Sequence, residues 1–600
     1  MPESVLASRP GRPVFGVERS VSGRAWQARL DDASGPIALA IAQTHGVPDL
    51  VARVLAGRGV PVASVPAFLA PRLRDLMPDP SVLTDMDAAA ARLAVAVGRG
   101  EPVAVFGDYD VDGACSAALL AEYLRACGCP VTVHITDRIT EGYGPNADAM
   151  RRFVADGARL IVTVDCGTAG HEPLAEAARL GADVVVLDHH GAPEALPPAH
   201  AIVNPNRQDD LSGLGHLAAA GIVFMTLVGL ARELRRRRHW GASPEPDLLA
   251  GLDLVALATV ADVVPLTGLN RAFVRQGLAV MRSRRRIGLA ALIDAARVET
   301  APEPWHLGFC LGPRINAGGR IGDASLGARL LTAADPTEAS GIAATLERLN
   351  EERRAVEAAA VDEAAAMADR VLDERPDSRA IVLSSPAWHP GIVGLVASRI
   401  KDRTGRPVFA FAEKPDGTAT GSGRSVAGAD LGRALRALVE ERAALKGGGH
   451  AMAAGATLAA DGLAAFRAAL DARLPEIARD AAEPLLIDAA VSAGGATPEA
   501  VRAVETAGPF GAGQPEPVFA LGGHRVTDAR IVGNGHVRIC LKSGDGSLLR
   551  AVAFRSAETP LGRALLGAID RTLHVAGSLS VDRWGGGERV ELRVLDAAEG

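Results

Sequence analysis

The stretch VVVLDHHG, residues 184–191, decides how the chain is read. Four apolar residues are followed at once by Asp188, His189 and His190, so a buried run ends in side chains able to carry charge or bind a metal. The same abrupt change recurs in VAVFGDYDVDG (103–113) and LIVTVDCG (160–167), each a short Val/Ile-rich run ending in acid. Such runs, alternating with helical segments like ACSAALLAEYLRAC (114–127), predict a parallel sheet covered on both faces. VTVHI (131–135) adds a strand, and DLVALATVADVVPL (253–266) is expected to continue the region, delivering Asp262 after a strand like the others.

In an open parallel sheet the carboxyl ends of the strands face the crevice where ligands bind. Three such ends gather Asp108, Asp110, Asp112, Asp165, Asp188, His189 and His190 in one cleft, and Asp262 adds an acid enclosed by apolar residues. Carboxylates crowded this way raise one another's pKa unless cations neutralise them. Aspartate with neutral histidine suits Mn²⁺ or Mg²⁺, the imidazole favouring Mn²⁺. Two such ions, roughly 3.5–4 Å apart, activate water and stabilise both oxygens of a phosphoryl displacement. Metal-dependent phosphoester hydrolysis is the chemistry expected. Blander readings exist for each motif alone. Asp112 or Asp188 after a strand is commonly a helix N-cap, and DYDVDG passes for the start of a calcium loop until its twelfth position, Leu119, where Glu is required. Capping does not explain four such motifs in order.

Bulk properties agree with a large soluble protein. Six hundred residues imply several domains. No apolar stretch approaches the roughly 18 residues needed to span a bilayer, and MPESVLASRPGRP has no signal-peptide core. A cytoplasmic protein without membrane contact is expected. Its six cysteines are scattered, and Cys127-x-Cys129 lacks a second pair at zinc spacing, so buried thiols are expected. A net charge of −7 does not advertise nucleic-acid binding; any such ligand needs local basic surfaces. RRRR (235–238) and RSRRR (282–286) are more often exposed helix faces than binding sites.

Along the chain, residues 1–85 form a polar lead-in with one or two helices, and 86–333 carry the strand–helix alternation. Residues 334–372, rich in Ala, Glu and Arg, predict one long connecting helix to a second α/β unit over 373–480. That unit holds AIVLSS, PVFAFAE and the Gly-rich KGGGHAMAAG. Residues 481–600 change period, and alternating residues with Gly-containing turns predict antiparallel strands in a small β-barrel.

The joint motifs DYDVDG, VDCG, DHH and VADVVPL resemble the signature of the DHH phosphoesterase superfamily. DRITEGYG (137–144), GPRINAGGRIGDA (312–324), WHPGIVGLVASRI (388–400), GSGRS (421–425), GGGHAMAAG (447–455) and GPFGAGQPEPVF (508–519) narrow the resemblance to the RecJ family of single-strand-specific exonucleases, over nearly the whole chain. The resemblance implies a multidomain α/β fold: a parallel-sheet DHH domain, a long connecting helix, a DHH-associated domain and a C-terminal OB-fold barrel. It implies two Mn²⁺ or Mg²⁺ ions held by Asp110, Asp112, Asp165, His189 and Asp262, with Asp165 bridging. His190 completes the catalytic set by facing the scissile phosphate, and Asp108 and Asp188 orient the ligands. Arg138, Ser422 and Arg424 match positions that hold a terminal 5′ phosphate, Arg314 a backbone-phosphate contact, and His450 a group that closes over substrate. The chain departs from many superfamily members at Phe106, where a metal-binding His is common, which leaves that ion's site open.

The implied activity is 5′→3′ hydrolysis of single-stranded DNA to 5′-mononucleotides in repair and recombination, with a helicase and a single-strand-binding protein as partners. A phosphodiesterase for very short RNAs or cyclic dinucleotides is the rival enzyme reading, disfavoured by the extra barrel. A non-catalytic replication scaffold on a degenerate DHH core is the rival from another class, disfavoured because the acids are present. The barrel is poor in aromatics, offering Phe510, Phe519, Phe554 and Trp584, so phosphate contact is expected to outweigh base stacking there.

Overall fold

Five short strands lie side by side, all parallel, in the order Val131–Ile135, Val103–Gly107, Leu160–Val164, Asp183–Leu187, Ala201–Val203. The two central ones are buried at every position, as continuous apolar runs covered on both faces require. Helix Val111–Ala126 packs on one face, and on the other Phe106, Met150, Phe153 and Leu174 share a core with the next two crossover helices. The computed structural model describes residues 12–241, 244–476, 483–582 and 587–600. Two compact units divide them: residues 77–264 with 273–479, and residues 1–76 with 265–272 and 480–600.

The sheet belongs to the first of these units. The segment expected to add another strand there is instead a helix, Leu252–Ala261, with Asp262 as its C-cap residue. A short, wholly apolar run reads equally as a buried strand or a buried helix, and Leu252–Thr259 are all buried. Asp262 therefore reaches the cleft from a helix end. Helices continue to Pro336–Glu374, 39 residues long, where the connecting helix was expected. Asp335 caps it by accepting from the Glu338 amide at 2.8 Å, with Pro336 at the first position, where its missing N–H costs nothing. Its early turns pack against Gly312–Ile321 and Ile287–Ala295, and its later turns against Val393–Thr404.

That last helix covers a second sheet in the order Lys446–Gly449, Ala453–Ala459, Thr418–Arg424, Val408–Glu413, Ile381–Ser385, antiparallel except for its final pair. The Gly-rich KGGGHAMAAG forms its hairpin edge, with His450 in the turn. The four arginines at 235–238 close a helix, where Arg235 pairs with Glu245 and Arg236 and Arg237 with Glu233. No helix among the described residues is long and apolar enough to cross a membrane.

The other unit is built on a barrel of Phe519–Val532, His536–Lys542, Leu548–Ala553, Arg589–Glu599 and Thr572–Asp582, closed by pairing of the first and last of these strands. Most pairs are antiparallel as expected, but Leu548–Ala553 runs parallel to Arg589–Glu599. Residues 12–76 hold more helix than the lead-in reading expected, including Ser34–His45 and Asp49–Ala56, and they fold against the barrel rather than standing apart. Trp26–Ala28 pairs with Leu485–Ile487, and the fully buried Trp26 donates its indole N–H to Asp596 at 3.0 Å. Of the barrel aromatics, Phe519 is buried, Phe510 packs among the N-terminal helices, and Phe554 is 54% exposed; Trp584 lies outside the described residues.

A second buried node secures these segments. Asp488 accepts from Arg58 at 2.9 Å, Arg29 at 3.0 Å and the Val518 amide at 2.9 Å. Replacing its carboxylate strands two guanidinium groups and an amide together. Asp488→Ala should therefore lose about 3–5 kcal/mol of stability in this unit, the cost of breaking a buried ion pair from one side, measured as a lowered urea midpoint.

Candidate metal centre and phosphate pocket

The loop that leaves Val103–Gly107 turns back at once into the helix Val111–Ala126. Asp110 caps that helix, accepting from the Asp112 and Gly113 amides at 2.9 and 3.1 Å. A Cβ at Gly113 would stand 2.3 Å from the Asp108 carbonyl oxygen, so only glycine lets the loop lie this close to the first helical turn. The capping role weighed for Asp112 falls to Asp110 instead, and the fold also collects the neighbouring acids.

Asp112 is fully buried at the start of another helix, Ala219–Arg236. Its two oxygens accept from the free first-turn amides of Ala219 (2.6 Å) and Ala220 (2.8 Å), where the helix dipole favours an anion. Asp165 adopts a left-handed conformation, φ 59°, just past its strand. His189 Nε2 stands 3.2 Å from Asp165, 3.7 Å from Asp262 and 3.8 Å from Asp112. Its other nitrogen, Nδ1, donates to the Leu217 carbonyl at 3.1 Å, which turns Nε2 toward the acids.

Three overlapping donor groups result: Asp165 with His189 and His190, Asp112 with His189 and Asp262, and Asp108 with Asp110 and Asp165. Asp165 and His189 each appear in two of them. Asp108 Oδ1, Asp165 Oδ1 and His189 Nε2 are buried and have no hydrogen-bond partner, an expensive state for polar atoms that a divalent cation relieves. The residues fit such ions. Asp108, expected only to orient ligands, stands among the donors themselves. Phe106 is buried against Phe153 and His134 in the sheet's core, so no ring from that position reaches the acids.

Electrostatics match the geometry. Burial first, then the charges of Asp112 and Asp110, drive the Asp165 carboxyl well above the usual range. Burial with Asp112 brings Asp262 to about 8, and burial with Asp110 raises Asp108. Asp188 goes the other way. Its burial is outweighed by the hydrogen bond and charge of His190, which hold it ionised below the carboxylate range. His190 in turn rises to about 9, because the Asp188 contact outweighs its own burial. Its Nδ1 lies 2.9 Å from Asp188 and 3.0 Å from the Tyr143 hydroxyl, leaving Nε2 for a ligand. Asn204 Nδ2 secures the same turn by donating to the His190 carbonyl and to Thr168 Oγ1, both at 2.9 Å.

Beside the acids lies a basic pocket. Arg138 rests with its guanidinium carbon 3.8 Å from the Tyr109 ring centre. Arg424 Nη1 donates to Ser422 Oγ and to the Gly423 carbonyl, each at 2.8 Å, and Arg320 Nη1 donates to the Gly391 carbonyl at 3.0 Å. Burial, then the charges of Arg138, Arg353 and Arg424, lower Arg320 to about 10, and burial with Arg138 lowers Arg424. Among the described residues Arg138, Arg320 and Arg424 form no ion pair with any acid. Mutually repelling guanidinium groups held this way form a site for an anion. His450 closes toward the same region, its Cε1 3.3 Å from where a Gly191 Cβ would stand, beside His190.

Arg314, expected to contact a backbone phosphate, commits three of its five N–H groups within the protein: Nε and Nη2 grip Glu347 of the long helix, and Nη1 donates to the Cys310 carbonyl at 2.7 Å. The arginine that faces the pocket from that motif is Arg320, which the sequence reading passed over. The motif was the available signal, and only packing separates its two arginines. Tyr143 was likewise visible within DRITEGYG without a role, whereas the Ala219, Ala220 and Leu217 backbone contacts have no side-chain signature.

Carboxyls that hold protons in the metal-free state must release them when an ion binds. Mn²⁺ affinity should therefore strengthen as pH rises toward the Asp262 value of about 8, with proton release visible in calorimetry across buffers of different ionisation enthalpy.

The chain matches the DHH family, N-terminal domain, over residues 102–259, the DHHA1 domain over 357–476 and the RecJ OB domain over 487–596. It is 38% identical to the single-stranded-DNA-specific exonuclease RecJ of Dickeya dadantii across 85% of this chain and 89% of that one. To the RecJ of Bacillus subtilis it is 34% identical across 93% of this chain and 68% of that one. The crystal structure of Thermus thermophilus RecJ in complex with Mn²⁺ superposes with a TM-score of 0.77 at 31% identity, covering 94% of this chain and 78% of that one. The Mg²⁺ complex of that protein gives 0.72 at 30% identity, covering 94% of this chain and 77% of that one. With its acids and unpaired arginines gathered as described, the chain belongs to the RecJ family.

Proposed function

We propose that this protein is a metal-dependent exonuclease that hydrolyses single-stranded DNA from the 5′ end to 5′-mononucleotides, in repair and recombination. The observation that carries this is the pairing of one acid–imidazole cluster, with its unsatisfied donor atoms, and an adjoining pocket of unpaired arginines. Mn²⁺ or Mg²⁺ is the cofactor, as in the Thermus relatives. Asp110, Asp112, Asp165, His189 and Asp262, with Asp108 beside them, would hold the two ions. Bound there, the ions would supply water activation and charge neutralisation at the scissile phosphate.

The chain's own groups do the rest. His190, whose proton affinity the Asp188 contact raises against its burial, presents Nε2 to a phosphate oxygen. Arg138, Ser422 and Arg424, joined by Arg320, receive the terminal 5′ phosphate and so set polarity, while His450 closes the cleft. The matching division of labour assigns catalysis to residues 86–333, the connecting helix to 334–372, substrate closure to 373–480 and strand binding to the barrel over 481–600, behind a lead-in over 1–85. Arg538, Arg550 and Arg593 on neighbouring barrel strands, with the exposed Phe554, support the last assignment. An enzyme that needs unpaired DNA depends on an unwinding partner, which favours a helicase and a single-strand-binding protein acting with it in the cytoplasm.

End-labelled single and double strands incubated with Mn²⁺ test the reading: 5′-mononucleotides from single strands alone are expected, and 3′-end attack overturns it. Asp165→Ala should abolish hydrolysis while gel-shift binding of single-stranded DNA persists. Removing the 5′ phosphate, or Arg424→Ala on a phosphorylated strand, should each lower kcat/KM roughly tenfold to a hundredfold, the worth of a charged hydrogen bond.

A further inference from the structure

Tyr109 stands between the two halves of this site. It sits inside the loop that carries Asp108 and Asp110, and its ring is the surface on which the Arg138 guanidinium lies, 3.8 Å from ring centre to guanidinium carbon. Its main chain is pinned from behind, since a Cβ at Gly319 would come within 2.4 Å of the Tyr109 carbonyl oxygen. Gly319 in turn neighbours Arg320, which is tied to Gly391 by a hydrogen bond of 3.0 Å. Arg138 Nε is buried without a hydrogen-bond partner, and among the described residues no acid or carbonyl accepts from this side chain, so the aromatic face holds it in place. A carboxylate in the same position would neutralise the pocket; a π-face orients the cation and leaves its charge available.

We infer that Tyr109 is a positioning residue that fixes Arg138, and with it the terminal-phosphate subsite, at a set distance from the metal-binding acids. One rigid loop then carries both the carboxylates that hold the ions and the plate that holds the phosphate receptor. This arrangement registers the strand one nucleotide from its end, so that cleavage follows the first residue. The inference rests on the proposed role of Arg138 as a receptor for the terminal phosphate.

The test compares Tyr109→Leu, Tyr109→Phe and Arg138→Ala in the full-length protein. Its readout is the ratio of kcat/KM on a 5′-phosphorylated strand to that on the same strand with a 5′ hydroxyl, with Mn²⁺ affinity measured separately by calorimetry. Tyr109→Leu should lower the ratio about tenfold, the factor associated with a desolvated cation–π contact, and release some dinucleotide. Tyr109→Phe, which keeps the π-face, should restore the wild-type ratio, and Mn²⁺ affinity should match wild type in both. A wild-type ratio in Tyr109→Leu overturns the inference. So does loss of Mn²⁺ affinity in step with the ratio, because Tyr109 would then be supporting the acids only. If Arg138→Ala itself keeps the ratio, the terminal-phosphate reading fails, a result distinct from failure of the Tyr109 link alone.

Discussion

Buried negative charge is the constraint on which the site depends. Asp108, Asp112 and Asp165 are almost wholly removed from water, and burial with neighbouring carboxylates raises the proton affinity of each. A folded chain tolerates such a cluster in limited ways: by protonation, by backbone amides or by cations. All three operate here. Asp112 takes two amides from a helix N-terminus, Asp188 takes His190 and the Thr168 amide, and Asp165 is left with an orphaned oxygen directed at His189.

The arginine pocket is the mirror image of that problem. Burial, then neighbouring like charges, lower the proton affinity of Arg320 and Arg424, and among the described residues neither forms an ion pair with an acid. The protein's net charge of −7 hides this completely. Placing the two unfavourable clusters side by side makes a phosphodiester with divalent ions the ligand that relieves both.

Backbone proximity builds the arrangement. Glycines at 113 and 319 let the Asp108–Asp110 loop lie between two helices with no room for a Cβ. The 39-residue helix Pro336–Glu374 spans from the first α/β layer to the second, so Arg138 from one and Arg424 from the other meet across the cleft. Precise placement of charge here comes from tight, nearly featureless packing.

The strand ends that carry Asp110, Asp165 and His189 were legible from the sequence, because an apolar run that stops at an acid is a local pattern with one common geometry. The long helix and the barrel were legible for the same reason, since both follow from periodicity. Asp262 was placed in the right cleft on the wrong element, because a short apolar run satisfies strand and helix equally. Arg314 and Arg320 share one motif and one chemistry, and only the third dimension pairs the first with Glu347 and leaves the second beside Arg138 and Arg424. The docking of the N-terminal residues onto the barrel, the amides that hold Asp112 and the ring that holds Arg138 were decided by tertiary structure alone. Each joins segments distant in the chain or uses backbone atoms, and neither kind of contact leaves a mark on residue identity.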